Sequence, residues 1–258
     1  MDGVWAGVRE RVLALREAPG WLSVFGADFG TYGHGFELSP VLTEEQVRAA
    51  ERRLGFGFPE EYRSFLLEVG AGGAGPDYGL FPIKSVEPMA SAEPAAAAEP
   101  AASVEPGEPA EPPFRPERTQ ELDAHESAEP QRAAYADTAE AEAMFLRDYR
   151  AWDARHDELL DALTEGTLCV GEQGCAYYTL LVVTGSERGT MWEDVRAVGE
   201  GVLPIRRAGE QPGDREGGSR VTFAQWYLNW LTHAERKAAT PPPPTSQPAS
   251  QSVNQPTD

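Results

Sequence analysis

The sequence predicts an α+β domain in which helices pack on an antiparallel sheet, and three observations carry that prediction. Residues 43–70 hold two amphipathic helical patterns in immediate succession. Residues 167–205 hold four short β-rich runs separated by Gly-containing turns, and residues 223–231 carry aromatics at helical spacing.

The elements follow in order. A helix over 3–17 places Val4, Val8, Val12 and Leu15 on one face, and a Gly-rich loop at 30–35 leads to a short strand at 36–38. Thr43 is placed to N-cap the next helix, with Gln46 three residues on completing a capping box. Val47, Ala50 and Leu54 form its apolar stripe, and Gly55 suits the left-handed position that ends it. Pro59 starts a second helix, Glu60 and Glu61 complement the positive end of its dipole, and Tyr62, Phe65, Leu66 and Val69 recur on one face. Gly70, Gly72, Gly73 and Gly75 end it, and a strand is expected near 79–83.

A long helix is expected over about 137–164, with Phe145, Tyr149, Trp152, His156, Leu159, Leu160 and Leu163 on its stripe. Strands follow at 167–170, 176–183, 190–196 and 202–205, as in an antiparallel meander. The unbroken run from Tyr177 to Val183 reads as a central strand covered on both faces, since a half-solvated strand would alternate. Phe223, Trp226, Tyr227, Trp230 and Leu231 make the last helix, and Tyr62, Phe65, Trp226 and Trp230 are expected in the core.

Two segments read differently. Residues 86–130 carry Glu-Pro at 87, 93, 99, 105, 108, 111 and 129 among Ala and Ser, too little apolar surface to offset ordering entropy. They are expected to form a disordered, polyproline-like insert, and residues 237–258 a disordered tail. One domain in two parts, 1–85 and 131–236, remains.

The chain of 258 residues has a net charge of −20. Residues 85–130 hold eleven acids and two arginines, a net −9, which leaves −11 elsewhere, so the folded part is acidic by itself. That charge repels phosphate backbones and anionic lipid and steers a basic partner, which excludes direct nucleic-acid and membrane binding as readings. No run approaches 18 apolar residues, and the N-terminal twenty residues are charged and amphipathic, unlike a signal peptide; a cytoplasmic protein is expected. Two lysines against twenty arginines suggest a GC-rich bacterial genome. Cys169 and Cys175 are too few for a disulfide scaffold or a four-cysteine zinc site and are expected as buried free thiols.

No catalytic, metal or cofactor constellation is visible. The histidines at 34, 125, 156 and 233 fall in a Gly loop, in the insert, on a helix stripe and near a helix end. The Gly-rich stretch 26–37 lacks the Lys-Ser/Thr of a phosphate loop, and Ser186 is not in a nucleophile elbow. Glu193 and Asp194, adjacent on a strand, point to opposite faces and cannot share a proton or a metal.

The order of Glu51, Leu54, Gly55, Phe58, Pro59, Tyr62, Phe65, Gly72 and Gly73 resembles the Smi/Knr-type domain of the SUKH superfamily. A second block at 166–197, with Cys175 at the family's glycine-cysteine step, and the closing helix extend the resemblance to roughly half of the chain. The resemblance implies a non-enzymatic protein-binding module: an immunity-type protein that neutralises a bacterial toxin, often a nuclease. The alternative it implies is a regulatory scaffold of the cell-wall-regulator type. A basic toxin domain is the partner expected, with association fast and salt-sensitive. Glu172, Glu187, Glu193 and Asp194 in the meander, with the aromatics Tyr78 and Trp192, are the candidate partner-binding residues, gathered on one open side of the sheet. The competing reading makes the acids solvated turn residues and the aromatics core.

Overall fold

The computed structural model describes residues 3–83, 112–206 and 220–240. Its helices are α1 (Val8–Ala14, continued by a 3-10 turn at Leu15–Glu17), α2 (Glu44–Leu54), α3 (Glu60–Glu68), α4 (Arg118–Glu126), α5 (Ala139–Ala162) and α6 (Phe223–Ala238). The strands β1 (Thr167–Gly174), β2 (Tyr177–Val182), β3 (Met191–Asp194) and β4 (Val202–Pro204) form an antiparallel meander in the order β1-β2-β3-β4. The α+β prediction holds, and the helix starts are set by the chemistry expected of them. Thr43 and Gln46 form the capping box of α2, Gly55 closes that helix at φ 82°, and Thr222 and Gln225 form a second box on α6.

Strand alternation sorts the sheet's side chains into two cores. Leu168, Val170, Leu181, Val183 and Met191 face α1, α2, α3 and α6, meeting Val8, Val12, Val47, Phe65, Tyr227 and Leu231. Cys169, Leu180, Val182, Trp192 and Val202 face the other way and meet Phe114, Leu122, Leu159 and Leu163, from the segment before α4, from α4 and from α5 and its C-terminal edge. Both faces of β2 are thus covered, which is why its sequence is continuously apolar.

Several expectations are corrected. The insert does not extend to 130: Phe114 packs edge-on against Trp192 at 4.8 Å, Leu122 on α4 is buried, and His125 lies flat on Trp152 of α5 at 5.1 Å. His125 Nε2 donates to the Trp152 carbonyl and Trp152 Nε1 donates back to the His125 carbonyl, each at 2.9 Å. Averaging composition over 86–130 hid these few apolar anchors, which suffice because a sheet face was waiting for them. The expectation for 86–111 lies outside the described residues, as does that for 241–258. At the other end α6 continues to Ala238, whose carbonyl accepts the Gly20 N–H at 2.8 Å, past the expected limit at 236.

The stretches 36–38 and 79–83 make isolated bridges rather than strands: Leu38 to Gly73, Gly73 to Leu80, and Leu80 to Gly171 of β1. Gly72, Gly73 and Gly79 sit at φ 132°, 107° and 95°, outside the extended region, so a ladder cannot propagate. Val4 is exposed and Trp5 takes its core place, because α1 starts only at Val8 after a left-handed Gly7. Trp5 Nε1 donates to the Glu61 carbonyl and to Ser64 Oγ, tying α1 to α3. Trp226 and Trp230 are half-buried at the edge of the first core, whereas Tyr227 and Leu231 fill its centre.

Candidate functional site

Tyr78 stands in a turn that the backbone makes unusually tight. Asp77 adopts φ 55° and Gly79 φ 95°, and the Gly79 N–H closes the turn on the Pro76 carbonyl at 2.9 Å. The Tyr78 ring lies over Gly174 at the end of β1, where a Cβ would come within 3.1 Å of it. Phe25 and Phe29 arrive from the loop after the first helix. That loop is pinned by His34 N–H to the Gly26 carbonyl and Gly35 N–H to the Ala27 carbonyl, each 2.9 Å. Gly26 passes so close to the Asp77 carbonyl that no side chain fits there.

The result is a cluster of three rings. Phe25 is 5.4 Å and Phe29 5.0 Å from Tyr78 between centroids, yet Phe25 and Phe29 each remain 52 % exposed. Large apolar groups left in water beside one another mark an interaction surface more often than scattered ones do.

Carboxylates adjoin the rings. Burial raises the Asp77 carboxyl above the usual carboxylate range. Glu193, half-buried on β3, is raised first by burial, partly restored by a hydrogen bond from Gln173, raised again by the charges of Asp77 and Glu200, and lowered by that of Arg206. Gln173 also donates to Thr179 Oγ1 at 3.2 Å, and Thr179 pairs with both Gly171 and Glu193 across the sheet. The charge of Asp77 disfavours ionisation of Glu193, and a cation beside them, as Arg206 already is, is stabilised.

Of the six expected partner-binding residues, the structure brings Tyr78 and Glu193 to this edge, whereas Glu172, paired with Tyr178, lies on the opposite face of the sheet with Asp194 and Cys169. Glu187 lies at the opposite end of β2, in the turn before β3, where Arg220 Nε donates to it at 2.8 Å. Trp192 is only 2 % exposed, its ring sandwiched by Phe114 and by the Arg220 guanidinium 5.0 Å from its centroid. Asp194 is 3 % exposed and ion-paired to Arg196. Those two residues are structural. Both lie on the face of β3 that α4 and α5 cover, so the acids do not gather on one open side. Cys169 is buried as expected, whereas Cys175 is exposed at the hairpin tip, because the two-residue turn leaves its side chain nothing to pack on.

Sequence reasoning missed Phe25, Phe29 and Asp77. Their signal was present, as aromatics inside a Gly-rich loop with neither helical nor strand periodicity. Among the described residues no group of three or more His, Cys, Asp or Glu side chains is set to hold a metal ion, and no helix is long and apolar enough to cross a membrane.

A four-stranded meander with helices on both faces, with the capped α2 and then α3 before it in the chain, makes an α+β domain that bears an aromatic and acidic edge. The family model described as SMI1 / KNR4 family (SUKH-1) matches residues 41–194, more than half of the chain, and the chain belongs to that family. The matched span runs from the start of α2 to the end of β3 and takes in Tyr78, Glu172 and Glu193, while Phe25 and Phe29 precede it. Searches of curated proteins and of solved structures returned no match.

Proposed function

We propose that this chain is a non-enzymatic, immunity-type protein that acts in the bacterial cytoplasm by binding and neutralising a basic toxin domain. The observation that carries the reading is the three-ring cluster of Phe25, Phe29 and Tyr78 beside Asp77 and Glu193. Half-exposed rings already packed together lose little conformational freedom on binding, and a lysine or arginine of the partner gains both the ring faces and the carboxylates. Such an incoming cation also relieves the repulsion between Asp77 and Glu193. Membership of the SMI1 / KNR4 family supports a protein-binding role in general.

The test is co-expression with the toxin gene that neighbours this one in its genome. Wild-type chain rescues growth, and a Phe29→Ser/Tyr78→Ser variant with unchanged melting temperature loses at least tenfold in survival. Full rescue by the double variant moves the contact elsewhere on the fold. Absence of rescue by the wild type, with several unrelated proteins recovered on affinity purification, favours the regulatory-scaffold reading instead.

A further inference from the structure

A second surface of opposite character lies along α6. A groove of about 690 Å³ is lined by Trp226 and Trp230, with Pro76, Ile205 and Val221 as apolar walls, and with Arg206, His233 and Arg236 among its polar groups. That volume is within the roughly 300–1,000 Å³ of ligand clefts. Among the described residues no carboxylate lines it, although acids outnumber lysine and arginine 42 to 22 in the chain. A local reversal of sign in a strongly acidic protein selects an anionic occupant.

The two tryptophans form a firm platform. Trp226 is braced by Phe223 at 5.8 Å, and Trp230 by Tyr227 at 5.1 Å, by His34 at 5.9 Å and by Phe36 at 6.3 Å. They are four residues apart on one helix and therefore share a face. From Gln225 to Arg236 the lining helix rises about 16 Å, the length of roughly five extended residues. Flat apolar side chains, proline above all, suit tryptophan faces, and an extended proline-bearing segment enters an aromatic groove with little entropy left to lose.

We propose that the α6 groove binds an extended acidic peptide segment of a partner protein, with proline or aromatic side chains over Trp226 and Trp230 and a carboxylate at Arg236. Pro76 and Arg206 lie between this groove and the Tyr78 edge, so the two surfaces adjoin, but the proposal does not depend on what that edge binds.

The experiment is fluorescence anisotropy on the full chain, with a labelled synthetic ten-residue peptide alternating glutamate with proline and phenylalanine, and the same peptide carrying lysine for glutamate. Saturable binding of the glutamate peptide is expected, weakening at least fivefold between 50 mM and 300 mM salt, with none of the lysine peptide. Arg236→Glu changes an exposed side chain whose one hydrogen bond among the described residues, from Nε, runs to the Thr232 carbonyl of its own helix, so the fold survives it; it lowers affinity at least fivefold. Trp226→Ala does likewise, and Phe29→Ser/Tyr78→Ser leaves the affinity unchanged. Equal binding of the lysine peptide, no saturation of the glutamate peptide up to 1 mM, or unchanged affinity in Arg236→Glu overturns the proposal.

Discussion

Asp194 grips Arg196 at two points: Oδ1 accepts from Nε at 2.9 Å and Oδ2 from Nη2 at 2.7 Å. The arginine's remaining nitrogen, Nη1, donates to the Leu160 carbonyl at 2.8 Å, so the pair fastens β3 to the end of α5. Asp194 is buried and its partner keeps about a quarter of its side chain in water. Removing the carboxylate strands a largely desolvated guanidinium, so Asp194→Ala is expected to cost about 3 kcal/mol, while Glu193→Ala next to it costs under about 1 kcal/mol. Urea unfolding of the two variants checks this. Equal losses contradict the assignment of one acid to the core and the other to the binding edge.

The segment before α4 and α4 itself act as a cover for the sheet. Phe114 and Leu122 close the core around Trp192 and Val202, and Thr184 Oγ1 donates to the Pro112 carbonyl at 2.9 Å. Deleting 90–110 with a short Gly/Ser joint keeps all of these contacts and is expected to leave the melting temperature within a few degrees, since closure entropy varies only logarithmically with loop length. Deleting 90–126 uncovers a sheet face and should lower stability by several kcal/mol, on the scale of about 2 to 5 kcal/mol for each large buried side chain lost. Matching thermal melts for the two deletions show α4 to be dispensable.

Where residues announce themselves locally, the sequence was sufficient. The capping box at Thr43, the left-handed Gly55 and the unbroken apolar run of β2 all follow from neighbours within a few positions. What escaped is set by packing across long separations. Phe114 lies in a Pro-rich stretch and becomes core only because Trp192 lies opposite, and Trp226 and Tyr227, adjacent in sequence, differ in burial because of what α3 and the 71–75 loop place against each. Tyr227, whose hydroxyl donates to the Ala74 carbonyl at 2.8 Å, is the centre of the aromatic core; Trp226 is its rim. The edge was legible in Tyr78 and Glu193 but not in Phe25 and Phe29, since nothing local says that the Gly26 loop closes over Asp77.

The β1–β2 hairpin turns on two residues without glycine. Cys175 and Ala176 sit at φ 55° and 61°, both left-handed, as the tight mirror-image turn of a hairpin requires. Side chains at such angles cost roughly 1 kcal/mol each, and Asn-Gly fits the same turn without that strain. Cys175→Asn with Ala176→Gly is expected to raise stability by about 1 kcal/mol, the gain being reduced by the larger freedom of glycine in the unfolded chain. Denaturant titration measures it, and a loss of stability shows that the tip makes contacts which outweigh its strain.

His34 makes the protein's stability depend on pH. Its Nδ1 accepts the Phe36 N–H at 3.1 Å, which places the proton on Nε2, and that atom is buried with no hydrogen-bond partner among the described residues. The rings of Phe36 and Trp230 pack against the imidazole, and burial alone lowers its pKa to about 4. In the unfolded chain the same group titrates near 6.5, so between these values protons bind the unfolded state in preference. The native state therefore keeps the full benefit of a neutral His34 above about pH 6.5, loses it at up to about 1.4 kcal/mol per unit as pH falls, and has lost about 3 kcal/mol near pH 4. His34→Asn retains an acceptor for the Phe36 N–H but cannot titrate. Unfolding free energies measured for both proteins from pH 7.5 to 4 should show the wild type's advantage over the variant level above pH 6.5 and falling steadily below it. A constant difference across that range means that His34 is already charged, or already open to water, in the folded protein.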